Sequence, residues 1–356
     1  MKYTLLALAM LLSGPALAQS VPEINFDSVP DYPKLPKGMN FGEVPGVAVN
    51  SRGHVYVFTR SNSANGPAYA PAAAQLLEFD QNGEFVGEIG KGLYGWSFAH
   101  TVRIDRDDNI WAVDKGSDMI IKFNPAGRVQ WVFGRRKESA DEHAGPWGHP
   151  EPPLPHVDGL FRQPTDVTWD PDGNIFISDG YINSRVAKYD KNGDWVKTWG
   201  RPGKGPGEFD TPHNIAADAQ GNIYVADRGN ARIQVFDHEG TFLREMKIDV
   251  PVPPDAQPWF GSKPGPDAPG NMHPGSPWAL CITPGPKQYL YSSDAFPGRI
   301  YKLTLDGQVL GMLGRTGRQI KQFGWVHEIA CPSENELYVA EILNWRVQKL
   351  ILHPSR

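Results

Sequence analysis

Cysteine is almost missing from this chain, runs of Lys and Arg are missing altogether, and only one segment stays apolar for long. The two cysteines, Cys281 and Cys331, make a poor metal motif. They fall in corresponding strands of successive repeats but one position out of phase, so they read either as a disulfide or as two small buried hydrophobes. A net charge of -5, with no basic stripe, excludes the electrostatic footprint of a nucleic-acid binder. The one apolar segment is "MKYTLLALAMLLSGPALAQS", with Lys2 before the run and Ala16-Leu17-Ala18 after it. It reads as a signal peptide over residues 1–18, leaving a mature chain from Gln19 in the periplasm or outside the cell. No later segment approaches the ~18 apolar residues of a spanning helix, so no membrane association is expected.

What is abundant is glycine (38), proline (33) and aromatic side chains (11%), a mix that suits many short strands joined by tight turns. Repetition dominates the chain. "HTVRIDRDDNIWAVD" from 100, "TDVTWDPDGNIFISD" from 165, "HNIAADAQGNIYVAD" from 213 and "HEIACPSENELYVAE" from 327 align directly. "PGVAVNSRGHVYVFT" from 45 and "WALCITPGPKQYLYSSD" from 278 complete a set of six. Each is a short apolar strand, a polar turn and an alternating strand, followed by a basic-aliphatic strand such as "ARIQVFD" and an outer strand such as "WVKTWG". Six four-stranded units predict an all-β fold, a six-bladed β-propeller, over residues 43–356. The last unit ends after its third strand, and residues 19–42 are expected to supply the missing one, because a ring cannot close on an exposed edge. Three insertions, 61–74, 135–160 and 251–276, are long enough to be functional rims.

Histidine recurs in phase with the repeat. His100, His213 and His327 open the innermost strands of units two, four and six, at intervals of 113 and 114 residues, while Pro45, Thr165 and Trp278 hold that position in the other units. Alternate positions of a six-fold ring lie about 120° apart, so three imidazoles should meet on the axis. Three neutral imidazoles with an open fourth position suit a catalytic zinc ion. Tyr181, in "SDGYINSRV", should emerge on the same face as an acid or base. Arg60 and Arg228, on equivalent turns, could grip a carboxylate. Arg185, Arg232, Arg299 and Arg346 recur in the later units and look architectural.

The repeats resemble NHL blades, and residues 43–351 resemble the peptidyl-α-hydroxyglycine α-amidating lyases, most specifically in "FRQPTDVTWDPDGNIFISDGYINSRV" and "PHNIAADAQGNIYVADRGNARIQVF". The resemblance implies a six-bladed propeller with zinc on His100, His213 and His327, catalytic Tyr181, and an essential Arg60. It further implies a structural calcium on the carbonyls of Val47 and Val102 and the carboxylate of Glu328. At the last histidine this chain reads "WVHE", so Trp325 replaces the family's methionine and Glu328 its aspartate, and Cys281 and Cys331 do not match the family's disulfides. The reading is a secreted, monomeric zinc lyase that cleaves a peptidyl-α-hydroxyglycine-like carbinolamide to an amide and glyoxylate, with Arg228 and Trp325 as substrate contacts. The alternatives are a metal-dependent hydrolase or lyase of another small molecule, and a non-catalytic NHL propeller that binds protein or glycan.

Overall fold

The turns of the repeat set its strands. In "DPDGN", Asp170 Oδ1 accepts the Asn174 amide at 2.9 Å, and Gly173 closes the turn with φ of 88°. Asp218 and Gly221 repeat this one unit later, and Asp105 does so with Asp108 holding φ of 60° in place of glycine. Each such turn reverses the chain into an antiparallel pair.

The computed structural model describes residues 21–61, 74–136, 152–153, 155–265 and 270–353. The expected signal peptide and parts of the three insertions lie outside the described residues. The structure is a six-bladed β-propeller, each blade a four-stranded antiparallel sheet. Blade 1 is β2 (Gly46–Val49), β3 (Val55–Arg60), β4 (Ala74–Phe79) and β5 (Phe85–Ile89). Blade 2 is β6 (Ala99–Ile104), β7 (Ile110–Asp114), β8 (Met119–Phe123) and β9 (Val129–Gly134). Blade 3 runs through β10 (Asp166–Trp169), β11 (Ile175–Asp179), β12 (Arg185–Tyr189) and β13 (Trp195–Trp199). Blade 4 comprises β14 (Pro212–Ala217), β15 (Ile223–Asp227), β16 (Arg232–Phe236) and β17 (Phe242–Met246). Blade 5 comprises β18 (Leu280–Ile282), β19 (Leu290–Ser293), β20 (Ile300–Leu303) and β21 (Val309–Leu313). Blade 6 takes β22 (Val326–Ser333), β23 (Glu336–Glu341) and β24 (Arg346–His353) from the end of the chain. Its outer strand is β1 (Asn25–Ser28), which pairs antiparallel with β24. Among the described residues, no helix is long and apolar enough to cross a membrane.

Second strands such as β11 and β15 are buried at every residue, because blades cover both of their faces. Outer strands such as β13 alternate. Among the described residues, six apolar clusters form, one at each junction between neighbouring blades. The junction of blades 6 and 1 joins Tyr338, Ala340 and Val347 to Val47, Val55 and Val57. The recurring arginines are structural: Arg185 pairs with buried Asp179 and donates to the carbonyls of Val157 and Leu160, and Arg232 does the same with Asp227, Gly205 and Glu208.

Cys281 and Cys331 are disulfide-bonded, with Cα atoms 6.0 Å apart, between the inner strands of blades 5 and 6. Their one-residue phase difference is absorbed by β22, whose register shifts between Val326 and Glu328 and again between Ala330 and Ser333. The bond closes a loop of 50 residues. Cys331→Ser is therefore expected to lose about 2–4 kcal/mol of stability in urea unfolding, and a reductant should do the same to the wild type while leaving the variant unchanged.

Candidate metal centre

The repeat position that opens each inner strand becomes one layer at the propeller axis. His100, His213 and His327 are buried there, with ring centroids 4.6 to 4.9 Å apart and ligand atoms all within 4.8 Å of one another. Each Nδ1 meets the backbone carbonyl of the next blade's equivalent residue. His100 meets Thr165 at 2.6 Å, His213 meets Trp278 at 2.6 Å, and His327 meets Pro45 at 2.8 Å. The three units that lack the histidine thus supply the carbonyls that orient it. A carbonyl can only accept, so Nδ1 carries the proton.

Burial, followed by neighbouring positive charge, holds all three imidazoles well below their ordinary pKa, so they are neutral. Each Nε2 lone pair then faces the axis. His213 Nε2 is buried with no hydrogen-bond partner among the described residues, and the Tyr181 hydroxyl lies 3.3 Å from His100 Nε2. Three converging neutral nitrogens, one of them orphaned, fit a zinc ion.

Tyr181 is half-buried beside this layer. Burial alone would raise its pKa, but Arg228, Lys115 and Arg60 together bring it below the ordinary value of 10. Lys115 Nζ sits 3.7 Å above the Tyr181 ring, and the Arg228 guanidinium is 5.4 Å from that ring and 4.4 Å from Trp278. Arg60 is held by Glu43 at 2.5 Å and the Ala99 carbonyl at 3.0 Å, and it covers Phe98. Trp325, at φ of 56°, packs at a tilt against Trp278 and Phe260 with centroids 5.2 and 5.4 Å away. An aromatic wall therefore leads from exposed Phe260 to the imidazoles.

Lys115 escaped the sequence reading although a signal was present. It follows Asp114 as Arg228 follows Asp227, and Arg60 closes β3 at the equivalent place, so one repeat position carries all three cations. Burial brings Lys115 down to about 8. The residues expected to bind calcium do meet. Glu328 Oε2 accepts the amides of Val47 and Val102 at 2.9 and 3.2 Å, and Oε1 lies 3.1 Å from Arg103 Nε. A resident guanidinium already faces the carboxylate, so this set does not fit calcium. A cleft of about 540 Å³, lined by Trp111, Trp131 and Trp169, opens at the far ends of the inner strands and holds none of these groups.

A family model described as a 6-bladed beta-propeller matches residues 158–257. Peptidyl-glycine alpha-amidating monooxygenase A of Xenopus laevis is 28% identical over 346 residues, 90% of this chain and 32% of that protein. A probable peptidyl-alpha-hydroxyglycine alpha-amidating lyase of Caenorhabditis elegans is 28% identical over 230 residues, 59% of this chain and 60% of its own. The chain therefore spans less than two thirds of either relative. A solved streptogramin B lyase superimposes with a TM-score of 0.53 at 16% identity, covering 93% of this chain and 98% of that one, which shows the shared fold. The chain is related in sequence to the peptidyl-α-hydroxyglycine α-amidating lyases.

Proposed function

We propose that this relative of the amidating lyases is an exported zinc enzyme that splits the N–Cα bond of an N-acyl-α-hydroxyglycine, giving a primary amide and glyoxylate. The observation that carries the reading is the layer of three neutral imidazoles with the Tyr181 hydroxyl 3.3 Å from one of them. Export is supported by the Cys281–Cys331 disulfide, a bond that persists in oxidising compartments.

His100, His213 and His327 would hold the zinc ion, which when bound supplies Lewis acidity toward a substrate oxygen. Tyr181, as phenolate, takes the proton of the substrate hydroxyl. The C–O bond becomes a carbonyl as the C–N bond breaks, and the departing amide nitrogen keeps the electron pair. Tyr181 then returns its proton to that nitrogen, so protons balance without any outside donor. Arg60 and Arg228 orient the substrate carboxylate, and Lys115 adds positive charge where the phenolate forms. Trp325, Trp278 and Phe260 offer an apolar face to the acyl group.

Zinc-replete protein incubated with N-benzoyl-α-hydroxyglycine should release glyoxylate and benzamide in equal amounts, faster than the uncatalysed reaction. Zinc-loaded protein that releases neither overturns the reading in favour of another small-molecule substrate or a binding propeller.

A further inference from the structure

One step along the inner strands from the imidazole layer lies a second layer, built of charge. Asn214 follows His213, Glu328 follows His327, and Asp166 follows Thr165, whose carbonyl orients His100. Arg103, three residues beyond His100, reaches into this layer from β6. Its Nε and Nη2 donate to the two Asp166 oxygens at 2.9 and 2.6 Å. Nη2 also reaches Asn214 Oδ1 at 3.2 Å and the Leu280 carbonyl at 3.3 Å, and Nε lies 3.1 Å from Glu328 Oε1. Asp166 and Glu328 have fully buried side chains.

These partners come from different blades. Arg103 belongs to blade 2, Asp166 to blade 3, Asn214 to blade 4, Leu280 to blade 5 and Glu328 to blade 6. Glu328 adds blade 1 by accepting the Val47 amide. The acceptors in turn bind neighbouring inner strands: Asp166 Oδ2 takes the Ile215 amide at 3.0 Å and Asn214 Oδ1 takes the Leu280 amide at 2.9 Å. One guanidinium is thus the hub on which the inner strands of all six blades converge.

We propose that Arg103 is a built-in cation that takes the place of a bound divalent ion on the propeller axis, so that this chain holds its imidazole layer without calcium. Calcium needs about six to eight oxygen ligands around it. Here the guanidinium already donates to both Asp166 oxygens, the Asn214 amide oxygen and the Leu280 carbonyl and stands 3.1 Å from Glu328 Oε1, and its charge repels a second cation among them. The planar fork suits the task, because it satisfies several acceptors in different directions at once. Removing it would leave a set of hard donors: two carboxylates, the Asn214 amide oxygen and the Leu280 carbonyl. Arg103→Ser should therefore create the calcium site that the wild type lacks. Because Glu328 and Asn214 adjoin zinc-ligand candidates, Arg103 acts as a positioning residue for that layer.

The test is calcium binding by the full mature chain, by equilibrium dialysis against radioactive calcium at constant zinc, with melting followed in calcium-depleted and millimolar-calcium buffer. Wild type should retain no calcium and melt at the same temperature in both. Arg103→Ser should bind about one calcium per chain and gain about 5 °C on saturation, with no gain from magnesium. Stoichiometric calcium on the wild type, or a wild-type melting temperature that rises with calcium, overturns the proposal. A folded Arg103→Ser that ignores calcium does so too. Should the variant fold in neither buffer, the wild-type measurement decides alone. No readout involves turnover, so the outcome is independent of whether the lyase assay succeeds.

Discussion

His213→Ala should take the purified protein from about one zinc per chain to almost none, and glyoxylate release should fall by at least about a thousandfold. The expectation rests on the layer's construction. His213 is buried, its Nδ1 proton is committed to the Trp278 carbonyl, and its Nε2 has no partner among the described residues. That nitrogen contributes nothing to the fold by itself. Two remaining imidazoles with no carboxylate beside them hold zinc weakly at the micromolar free metal of an assay. The structural cost is smaller, about 1–3 kcal/mol for leaving the Trp278 carbonyl buried and unbonded. The variant should therefore remain folded by circular dichroism while losing its metal. Wild type that takes up no zinc even when zinc is supplied would leave three channel imidazoles without a ligand and favour a binding propeller. A zinc-free variant that still releases glyoxylate at the wild-type rate would detach the chemistry from this layer.

The imidazole layer was legible because it obeys the repeat. A side chain that returns in alternate blades at one position must converge on the axis, and backbone geometry alone carries that inference. The six blades were legible for the same reason, since turns such as "PDGN" and "QGN" declare themselves locally. What stayed hidden depends on features that break or cross the repeat. The Cys281–Cys331 bond needed the register shifts of β22, which no propensity announces. The hub around Arg103 needed all six blades in register, because its direct partners lie up to 225 residues from Arg103 yet meet within one guanidinium's reach. Counting positively charged residues at the turn after the second strand would have found Lys115. A lysine on a turn is ordinarily solvated, whereas this one is buried above Tyr181.

Tyr181→Phe should lower kcat by about two to four orders of magnitude with zinc content unchanged. The ring would still fill its place between Lys115 and His100, so packing and the imidazole layer survive, and only the oxygen that lies 3.3 Å from His100 Nε2 is lost. Normal turnover by this variant, with full zinc, would remove Tyr181 from the mechanism. The pH profile supplies a second readout. A base works when deprotonated, so activity should rise as pH climbs through the Tyr181 pKa, which Arg228, Lys115 and Arg60 hold below 10 against the opposing effect of burial. Lys115→Met takes one positive charge from above the ring while keeping much of its bulk. The folded-state pKa of Tyr181 then moves up, and the rising limb of kcat should move to higher pH, with the plateau at high pH less affected than the rate at neutrality. A purely structural lysine predicts a different result: a lower melting temperature and a uniformly reduced rate, with the limb where it was. The position of that limb in the two proteins therefore separates a charge that acts on Tyr181 from one that merely packs against it.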